Sequence, residues 1–553
     1  MSAGAGSVFM RKATGLVRSW SVFDAFVYAF FSINLITLGL YIFSQMYFFQ
    51  GGIMPALVIS AVFILFEVIV YAALIAVMPR SGGDYVWQSR ILGGGIGFVL
   101  AVTGWWFILW LWVPLYGDML SKAVITPLLG VLGAQSAALW FAQTQAGLFT
   151  ASMITLAIVT GYIMLGMKRY ARIQKFCFYG GMLGLVIVIG LLLTGTPEGF
   201  KAGLESNATA LYGAQPGVYD ATVQLGTDAG AALPLRGGSL KLILLTLPYL
   251  VFFNLWPNWG ATLYGEVRGA TDFKRNLSGM AWALGITTVL AIVLLLAISK
   301  TIGWDFYNQA NGAWWNFSWA YTDQAPALPV WPYPAMLASF LTTNRAVQFI
   351  VIALMSLWWF GWSGTVFLSS TRVVFAAAFD RLLPEKVADV NERTGTPVTA
   401  LMLMVIPAIV VSALFAWNVF NARSWTLDST LVIAVTFLGT TVAAILLPYR
   451  KRDLYNASPI AKYKVFGIPL ITVAGVVFGA FLLFLLVEWL FDPWLNTGGV
   501  PPGLYGISLA NIPSVVYMLV MYGVAAGIYY GFKAYRKRRG IDIDKVHQEI
   551  PVE

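Results

Sequence analysis

FFNLWPNWGATLYGE, residues 252 to 266, extends a mostly apolar run that begins at Leu242, and it places Pro257 and Gly260 where a membrane helix would otherwise continue. A proline inside a helix removes one backbone N–H and clashes with the carbonyl four residues earlier. In hydrocarbon, irregular backbone is tolerated only where it is buried in protein or lines a cavity, because each unsatisfied backbone group is costly there. The sequence therefore predicts a broken helix at this point. The alternative is a proline kink without a ligand.

A broken helix offers binding groups to a small charged molecule. The amino end of a half-helix favours anions, and the carboxyl end favours cations. Such a break suits both ends of a zwitterion. The side chains predicted to line a binding site here are Phe253, Asn254, Trp256 and Asn258.

The composition of the chain indicates a membrane protein. With 59% hydrophobic and only 10% charged residues, its 553 residues provide too little charged surface to coat a soluble protein. A span needs about 20 mostly apolar residues. The sequence predicts an all-α polytopic membrane protein with twelve transmembrane helices, at 22–45, 53–78, 91–119, 146–167, 176–196, 240–263, 277–302, 346–375, 398–420, 427–447, 466–491 and 512–532.

The distribution of Lys and Arg predicts the orientation, because basic short loops tend to stay in the cytoplasm. Placing the N-terminus inside leaves only 7 of the 34 Lys and Arg residues outside. We therefore expect a multi-pass protein of the cell (cytoplasmic) membrane with both termini cytoplasmic, namely the N-terminal segment 1–21 and the basic tail 533–553. The basic balance suits anionic lipid and does not require nucleic acid.

Histidine and cysteine are nearly absent. The chain has one of each, His547 and Cys177, so His/Cys metal clusters, catalytic His dyads and intrachain disulfides are excluded. No metal and no cofactor are expected, apart from a proton or sodium as a coupling ion.

The centre of the first predicted span, SINLITLG (32–39), is unusually polar for a membrane helix. If the chain is built from inverted repeats, a second interrupted span is expected in the other half. We predict that this stretch is broken and faces the span 6 break, with Ser32, Ile33, Asn34, Leu35 and Thr37 contributing to the binding site. The alternative is a continuous helix whose polar side chains hydrogen-bond to neighbouring helices.

Charged motifs follow spans 2, 6 and 8. They read MPRSGGDYVWQSRILGGGIGF (78–98), LYGEVRGATDFKRN (263–276) and SSTRVVFAAAFDRLLPEKVADVNERTGTPVTALM (369–402). In order and spacing, over spans 1 to 10, they resemble the amino acid/polyamine/organocation (APC) transporters. The third motif is the most specific.

The resemblance implies a LeuT-type fold of two inverted five-helix repeats with discontinuous helices 1 and 6. The repeats would be 22–196 and 240–447, joined by an extracellular loop, 197–239; spans 11 and 12 (466–532) lie outside them. It also implies a secondary active transporter of amino acids or related amines that works by alternating access, and not an enzyme. The alternatives are an exchanger without ion coupling and a non-transporting amino acid receptor or sensor.

The same motifs carry charges that suit a cytoplasmic gate. We predict that Asp84, Glu266 and Asp380 pair with arginines across the inner face, with Arg80 and Arg372 among the candidates. Such bridges would form when the inner side of a transporter closes. The alternative is a solvated charged loop or a fixed, stabilising pair.

Three residues are candidates for ion coupling. Glu67 lies in the middle of predicted span 2, a depth at which acids are rare and usually mark ion or proton paths. It is either a protonatable coupling group or a permanently protonated hydrogen-bond donor. In sodium-coupled relatives, hydroxyl residues of span 8 bind the ion, and the resemblance implies Ser363 and Thr365 for that role.

Overall fold

The part of the chain that the structure describes is almost entirely helical. The computed structural model describes residue 16, residues 18–495 and residues 512–550, without the side chains of Leu427 and of residues 492–495. Residues 1–15 and 17 of the predicted N-terminal segment, and residues 551–553 of the predicted tail, lie outside the described residues.

Twelve helical stretches of the described chain are long and apolar enough to cross a membrane. This confirms the prediction of an all-α polytopic membrane protein. In chain order, and named spans 1 to 12 below, they are Val22–Gln45, Ile53–Val77, Gly94–Val131, Gln145–Met164, Met167–Thr194, Leu240–Glu266, Phe273–Ser318, Arg345–Phe379, Val398–Ala416, Val419–Arg450, Leu470–Phe491 and Ile512–Arg538.

Several spans are interrupted by irregular turns, which often mark functional sites when they are π-helical. The π-helical turns are Leu35–Gly39, Thr103–Phe107, Ser121–Ile125 and Ser299–Gly303. The 3-10 turns are Ile108–Leu111, Trp259–Glu266 and Val419–Ser424. The α-helical parts of these spans are Val22–Ile33, Leu40–Gln45, Gly94–Val102, Trp112–Leu120, Thr126–Val131, Leu240–Asn254, Phe273–Ile298, Trp304–Ser318 and Trp425–Arg450. Span 8 consists of Arg345–Trp362 and Thr365–Phe379, and the helix of span 11 runs to Leu495.

Short elements connect the spans. The predicted loop 197–239 contains two helices, Pro197–Tyr212 and Val218–Asp228. The other short helices are Asp84–Ile91, Gln135–Gln143, Pro334–Ser339, Glu385–Ala388, Arg452–Asn456 and Ile543–Val546. A two-stranded antiparallel hairpin precedes span 11, with Lys464–Val465 paired to Ile468–Pro469.

Three of the interrupted spans, 1, 3 and 6, are the most deeply buried of the twelve. In its most apolar stretch, span 1 has 94% of its residues buried inside the protein, and spans 3 and 6 have 78% each, against 28% for span 12. The polar residues of a helix that is buried on all sides face other parts of the protein or a ligand, and not lipid. The centre of spans 1, 3 and 6 is therefore where a binding site is sought. The 5+5 repeat relation stays a prediction.

Candidate functional site

Span 1 is broken at Asn34. The first helix ends at Ile33, and Asn34 adopts the left-handed conformation with φ 46°, which asparagine tolerates better than most side chains. Its Oδ1 accepts a hydrogen bond from the Thr37 backbone N–H at 2.9 Å, and its Nδ2 donates to the Trp358 carbonyl at 3.0 Å. The Asn34 amide thus holds the break open and ties it to span 8. It is committed to the backbone rather than directed at a ligand.

The other predicted residues of span 1 are buried with it. The Ser32 hydroxyl donates to the Tyr28 carbonyl at 2.8 Å within the first half-helix. Ile33, Leu35 and Thr37 are at most 2% exposed. The broken segment therefore contributes apolar walls and short backbone turns to the centre of the molecule.

Span 6 is broken between Asn254, where its α-helix ends, and Trp259, where a 3-10 turn begins. Asn254 and Asn258 are both fully buried. The Asn254 Oδ1 accepts a hydrogen bond from the Ser60 hydroxyl of span 2 at 2.8 Å, whereas its Nδ2 has no partner among the described residues. Both amide atoms of Asn258 also have none. Buried polar groups are normally hydrogen-bonded, so these amides are the best candidates for ligand contacts.

Spans 1 and 6 meet directly at their breaks. A Cβ atom on Gly39, the last residue of the π-helical turn, would lie 2.8 Å from the ring of Phe253. Phe253 also packs edge-on against Phe43, with ring centroids 5.1 Å apart. The predicted residues of both spans are thereby brought together.

A cluster of aromatic rings fills the space beside the span 6 break. Trp112 of span 3 lies parallel to Phe252 and perpendicular to Trp256, with centroids 5.6 and 5.5 Å away. Trp259 and Trp362 flank it. The indole N–H groups of Trp112 and Trp259 have no acceptor among the described residues. The sequence analysis selected Trp256 alone, although the runs WWFILWLW (105–112) and LWWFGW (357–362) signal the tryptophans of spans 3 and 8.

A cavity of about 570 Å³ adjoins this aromatic cluster at Phe252. Its lining also comes from spans 1, 3 and 7 and from residues near the ends of spans 4, 9 and 10. On its wall, Lys122 forms an ion pair with Asp118, and the Tyr41 hydroxyl donates to the same carboxylate at 2.7 Å. Trp315, in the second helix of span 7, lies against Lys122 and donates to the Ser44 hydroxyl at 2.9 Å. The cavity is therefore a polar vestibule roofed by ordered aromatic residues.

Glu67 lies on a face of span 2 that contacts the span 6 break near one end and Asp84 near the other. Its carboxylate is fully buried and has no hydrogen-bond partner among the described residues. Ser60, which binds Asn254, precedes it by seven residues and Tyr71 follows by four, spacings that share a helix face. At the helical rise these are about 10 and about 6 Å along the axis. Glu67 thus lies between the candidate binding site and the charged cluster that contains Asp84.

The two span 8 hydroxyls belong to a network near the break. Thr365 donates to the Trp362 carbonyl at 2.9 Å, and Ser363 to the Phe360 carbonyl at 3.3 Å. The Tyr28 hydroxyl of span 1 donates to the Thr365 carbonyl at 2.6 Å. Ser369, which the sequence analysis did not select, donates to the Trp259 carbonyl at 2.9 Å and so joins spans 6 and 8.

Two buried ion pairs close the end of the molecule at which the termini lie. Arg372 contacts both oxygens of Glu266, at 2.6 and 3.2 Å. Arg90 contacts both oxygens of Asp380, at 2.5 and 2.9 Å. The Glu266–Arg372 pair combines two predicted gate residues, whereas Arg90 was not selected from the sequence. Bidentate pairs of this kind are among the stronger interactions of side chains.

Asp84 lies in the same cluster but accepts hydrogen bonds from hydroxyl groups, Tyr71 at 2.6 Å and Thr440 at 2.5 Å. Arg80 donates to the Pro79 carbonyl at 3.1 Å. The tight Gly82–Gly83 turn places Asp84 here: a Cβ on Gly82, whose φ is 95°, would lie 2.5 Å from that of Ala376. Burial raises the pKa of Asp84 from 3.8 to about 6, although hydrogen bonds from Thr440 and Tyr71 act in the opposite direction.

The raised pKa of Asp84 predicts a pH-dependent stability. The folded protein binds the Asp84 proton more tightly than the unfolded chain, so stability falls as the pH rises from about 4 to about 6 and stays lower above that. Asp84→Asn keeps the acceptor for Tyr71 and Thr440 and should flatten this slope. The check is the melting temperature of purified protein between pH 4 and pH 7. An unchanged slope in the variant would show that Asp84 does not titrate in this range.

The chain end folds back onto the inner cluster, which the sequence did not indicate. The Tyr85 hydroxyl donates to Asp380 at 2.7 Å and lies 3.3 Å from the His547 Nε2. Arg90 also donates to the Glu549 carbonyl at 3.2 Å. The part of the predicted basic tail around His547 is thus packed against the gate candidates.

Twelve candidate spans, two facing broken helices and a closed charged cluster at one end define a polytopic membrane transport protein. The chain belongs to the amino acid permease family, whose sequence model matches residues 22–525. This is a family of transporters and not of enzymes, and the APC resemblance is confirmed. No curated protein matches the chain.

Proposed function

We propose that this amino acid permease is a secondary active transporter that moves its substrate by alternating access, coupled to protons through Glu67. Membership of the permease family supports the amino acid or related amine as substrate. The single observation that carries the proposal is the pair of facing breaks in spans 1 and 6, where the buried amides of Asn254 and Asn258 retain unused hydrogen-bonding atoms.

The substrate site lies between these breaks and the aromatic cluster. Backbone groups freed at the breaks and the Asn258 amide bind the charged ends of the substrate. The rings of Trp112, Trp256 and Trp259 contact its side chain, and aromatic faces suit either apolar or cationic groups. The polar vestibule at Phe252 is the access route.

The closed inner end supports alternating access. The Glu266–Arg372 and Arg90–Asp380 pairs are both buried. A substrate path to the cytoplasmic side therefore requires that the two pairs dissociate, or that the segments carrying them move apart. Their separation is the proposed inner gate movement. The contrast between this end and the 570 Å³ vestibule supports an outward-oriented arrangement.

Substrate binding tests the site. Purified protein is screened by melting temperature against the twenty amino acids and common polyamines, since a ligand that binds only the folded state stabilises it. We expect Asn258→Ala to bind the best hit at least about tenfold more weakly, because hydrogen bonds to charged groups contribute about 1.5–3 kcal/mol each. Asn456→Ala, at the exposed end of the short helix Arg452–Asn456, is the control and should bind normally.

The alternatives give different results. An exchanger shows counterflow in proteoliposomes but no accumulation under any ion gradient. A receptor or sensor binds the ligand found in the melting-temperature screen but shows neither counterflow nor accumulation. Equal affinity of Asn258→Ala and Asn456→Ala would contradict the proposed site.

A further inference from the structure

A groove follows one face of span 12 at the end of the molecule where the chain terminates. Its volume is about 760 Å³, and its floor is a stripe of span 12 spaced at three and four residues. A turn after span 8 forms its edge. The lining residues are Pro384, Glu385, Val524, Gly527, Ile528, Gly531, Phe532, Tyr535, Arg536 and Arg539.

Two glycines deepen the groove in its apolar half. A Cβ atom on Gly527 or Gly531 would meet no atom within 4 Å, so the helix surface is open there. The neighbouring wall is aliphatic and aromatic, formed by Val524, Ile528 and Phe532. This half offers a smooth apolar channel on a face of the protein that hydrocarbon surrounds.

The other half of the groove is basic. Arg536 is buried and fixes the edge, donating to the carbonyls of Arg381 and Leu383 and to the Glu385 carboxylate at 3.1 Å. The Arg536–Glu385 pair is neutral, so Arg539 supplies the excess charge of the lining. Arg539 is exposed, and its guanidinium lies 4.6 Å from the centre of the Tyr535 ring.

The length of the groove matches one leaflet of a bilayer. From Val524 to Arg539 the helical rise gives about 22 Å. Half of a bilayer, including its headgroup region, is about 20–22 Å thick. A basic rim at the headgroup level and an apolar channel below it are complementary to a phospholipid and not to a folded partner.

We propose that this groove is a binding site for one anionic phospholipid of the leaflet on the side of the chain termini, with the phosphate at Arg539 and an acyl chain along Gly527 and Gly531. The lipid fills the space between span 12 and the turn that follows span 8. Basic residues beside a span attract anionic headgroups, and here the apolar channel adds a position for the chain.

Native mass spectrometry of the purified full chain tests this site. The protein is offered phosphatidylglycerol or phosphatidylcholine of identical acyl composition. We expect one retained phosphatidylglycerol per protein and at least about tenfold weaker retention of phosphatidylcholine. Arg539→Gln should lose this preference, whereas Arg538→Gln, one residue away and not in the lining, should keep it.

The channel has its own matched pair of variants. Gly531→Leu fills the groove and should lower phosphatidylglycerol retention as strongly as Arg539→Gln. Gly523→Leu also enters open space but lies outside the lining, and it should retain the lipid. Melting temperatures in detergent show whether each variant is folded.

Three outcomes would overturn the proposal. Equal retention of both lipids, or an equal loss in Arg538→Gln and Arg539→Gln, would mean that the basic tail attracts lipid without a site. Full retention of phosphatidylglycerol by Gly531→Leu would show that no acyl chain lies along Gly531. A mass of two chains that Gly531→Leu converts to one would assign the groove to a second copy of the protein.

Discussion

Glu67→Gln should abolish proton-driven accumulation while leaving substrate exchange intact. The glutamine keeps the size and a hydrogen-bond donor but cannot carry a proton. With one proton per substrate, a pH gradient of one unit supports about tenfold accumulation, since a factor of ten corresponds to about 1.4 kcal/mol. The variant should stop at equal concentrations on both sides. Uptake of the best thermal-shift hit into proteoliposomes, with and without an imposed pH gradient and sodium, measures this.

The position of Glu67 is the physical reason for this expectation. Its buried carboxylate shares a helix face with Ser60, which binds Asn254, and with Tyr71, which binds Asp84. A proton on Glu67 is therefore placed between the candidate substrate site and the inner cluster. Glu488→Gln, in span 11, is the control and should accumulate substrate like the parent protein.

Other results would reassign Glu67. If Glu67→Gln accumulates substrate normally, Glu67 is structural and does not carry the coupling proton. If the parent protein itself accumulates nothing under either gradient, the protein is an exchanger. If sodium drives accumulation in the parent protein, Ser363→Ala and Thr365→Ala test whether these two hydroxyl residues bind the sodium ion.

Arg372→Met should be the most destabilising single change at the inner end. It leaves Glu266 as an uncompensated buried charge, and breaking such a pair costs about 3–5 kcal/mol. Removing both charges, as in Glu266→Gln with Arg372→Met, should recover much of this loss because no unpaired charge then stays buried. Melting temperatures of the two single variants and the double variant measure the coupling.

A control and a second readout separate a gate from a fixed pair. Lys201→Met breaks the exposed Lys201–Asp220 pair and should leave the melting temperature unchanged. A cysteine placed at Gly260, beside the span 6 break, should react with a thiol reagent added from the side of the termini in the double variant but not in the parent. If it stays unreactive in both, the Glu266–Arg372 pair stabilises the fold without gating.

Much of the architecture followed from the sequence because its causes are local. A run of about 20 apolar residues has one stable environment, and every run long enough to span gave a helix in the described chain. The break in span 6 was also predictable, since Pro257 removes a donor wherever its neighbours lie. The charged motifs after spans 2, 6 and 8 indicated the family by their order and spacing.

The partners of the polar groups could not be predicted in the same way. Asp380 binds Arg90, 290 residues earlier in the chain. The Asn34 amide, expected at a ligand, is used by Thr37 and by the Trp358 carbonyl 324 residues away.

The sequence by itself determined the membrane environment, the twelve spans and the breaks in spans 1 and 6, because hydrophobic length, proline and polar residues at a span centre are local features. The irregular turns of spans 3, 7 and 10 were not predicted. The tertiary structure alone decided which spans face one another. That arrangement placed Trp112 and Phe252 in one aromatic cluster, left the Asn258 amide without a partner among the described residues, and brought His547 next to the Arg90–Asp380 pair. Hydrogen bonds and ion pairs act over a few ångströms, so contacts between distant segments exist only once the helices are packed.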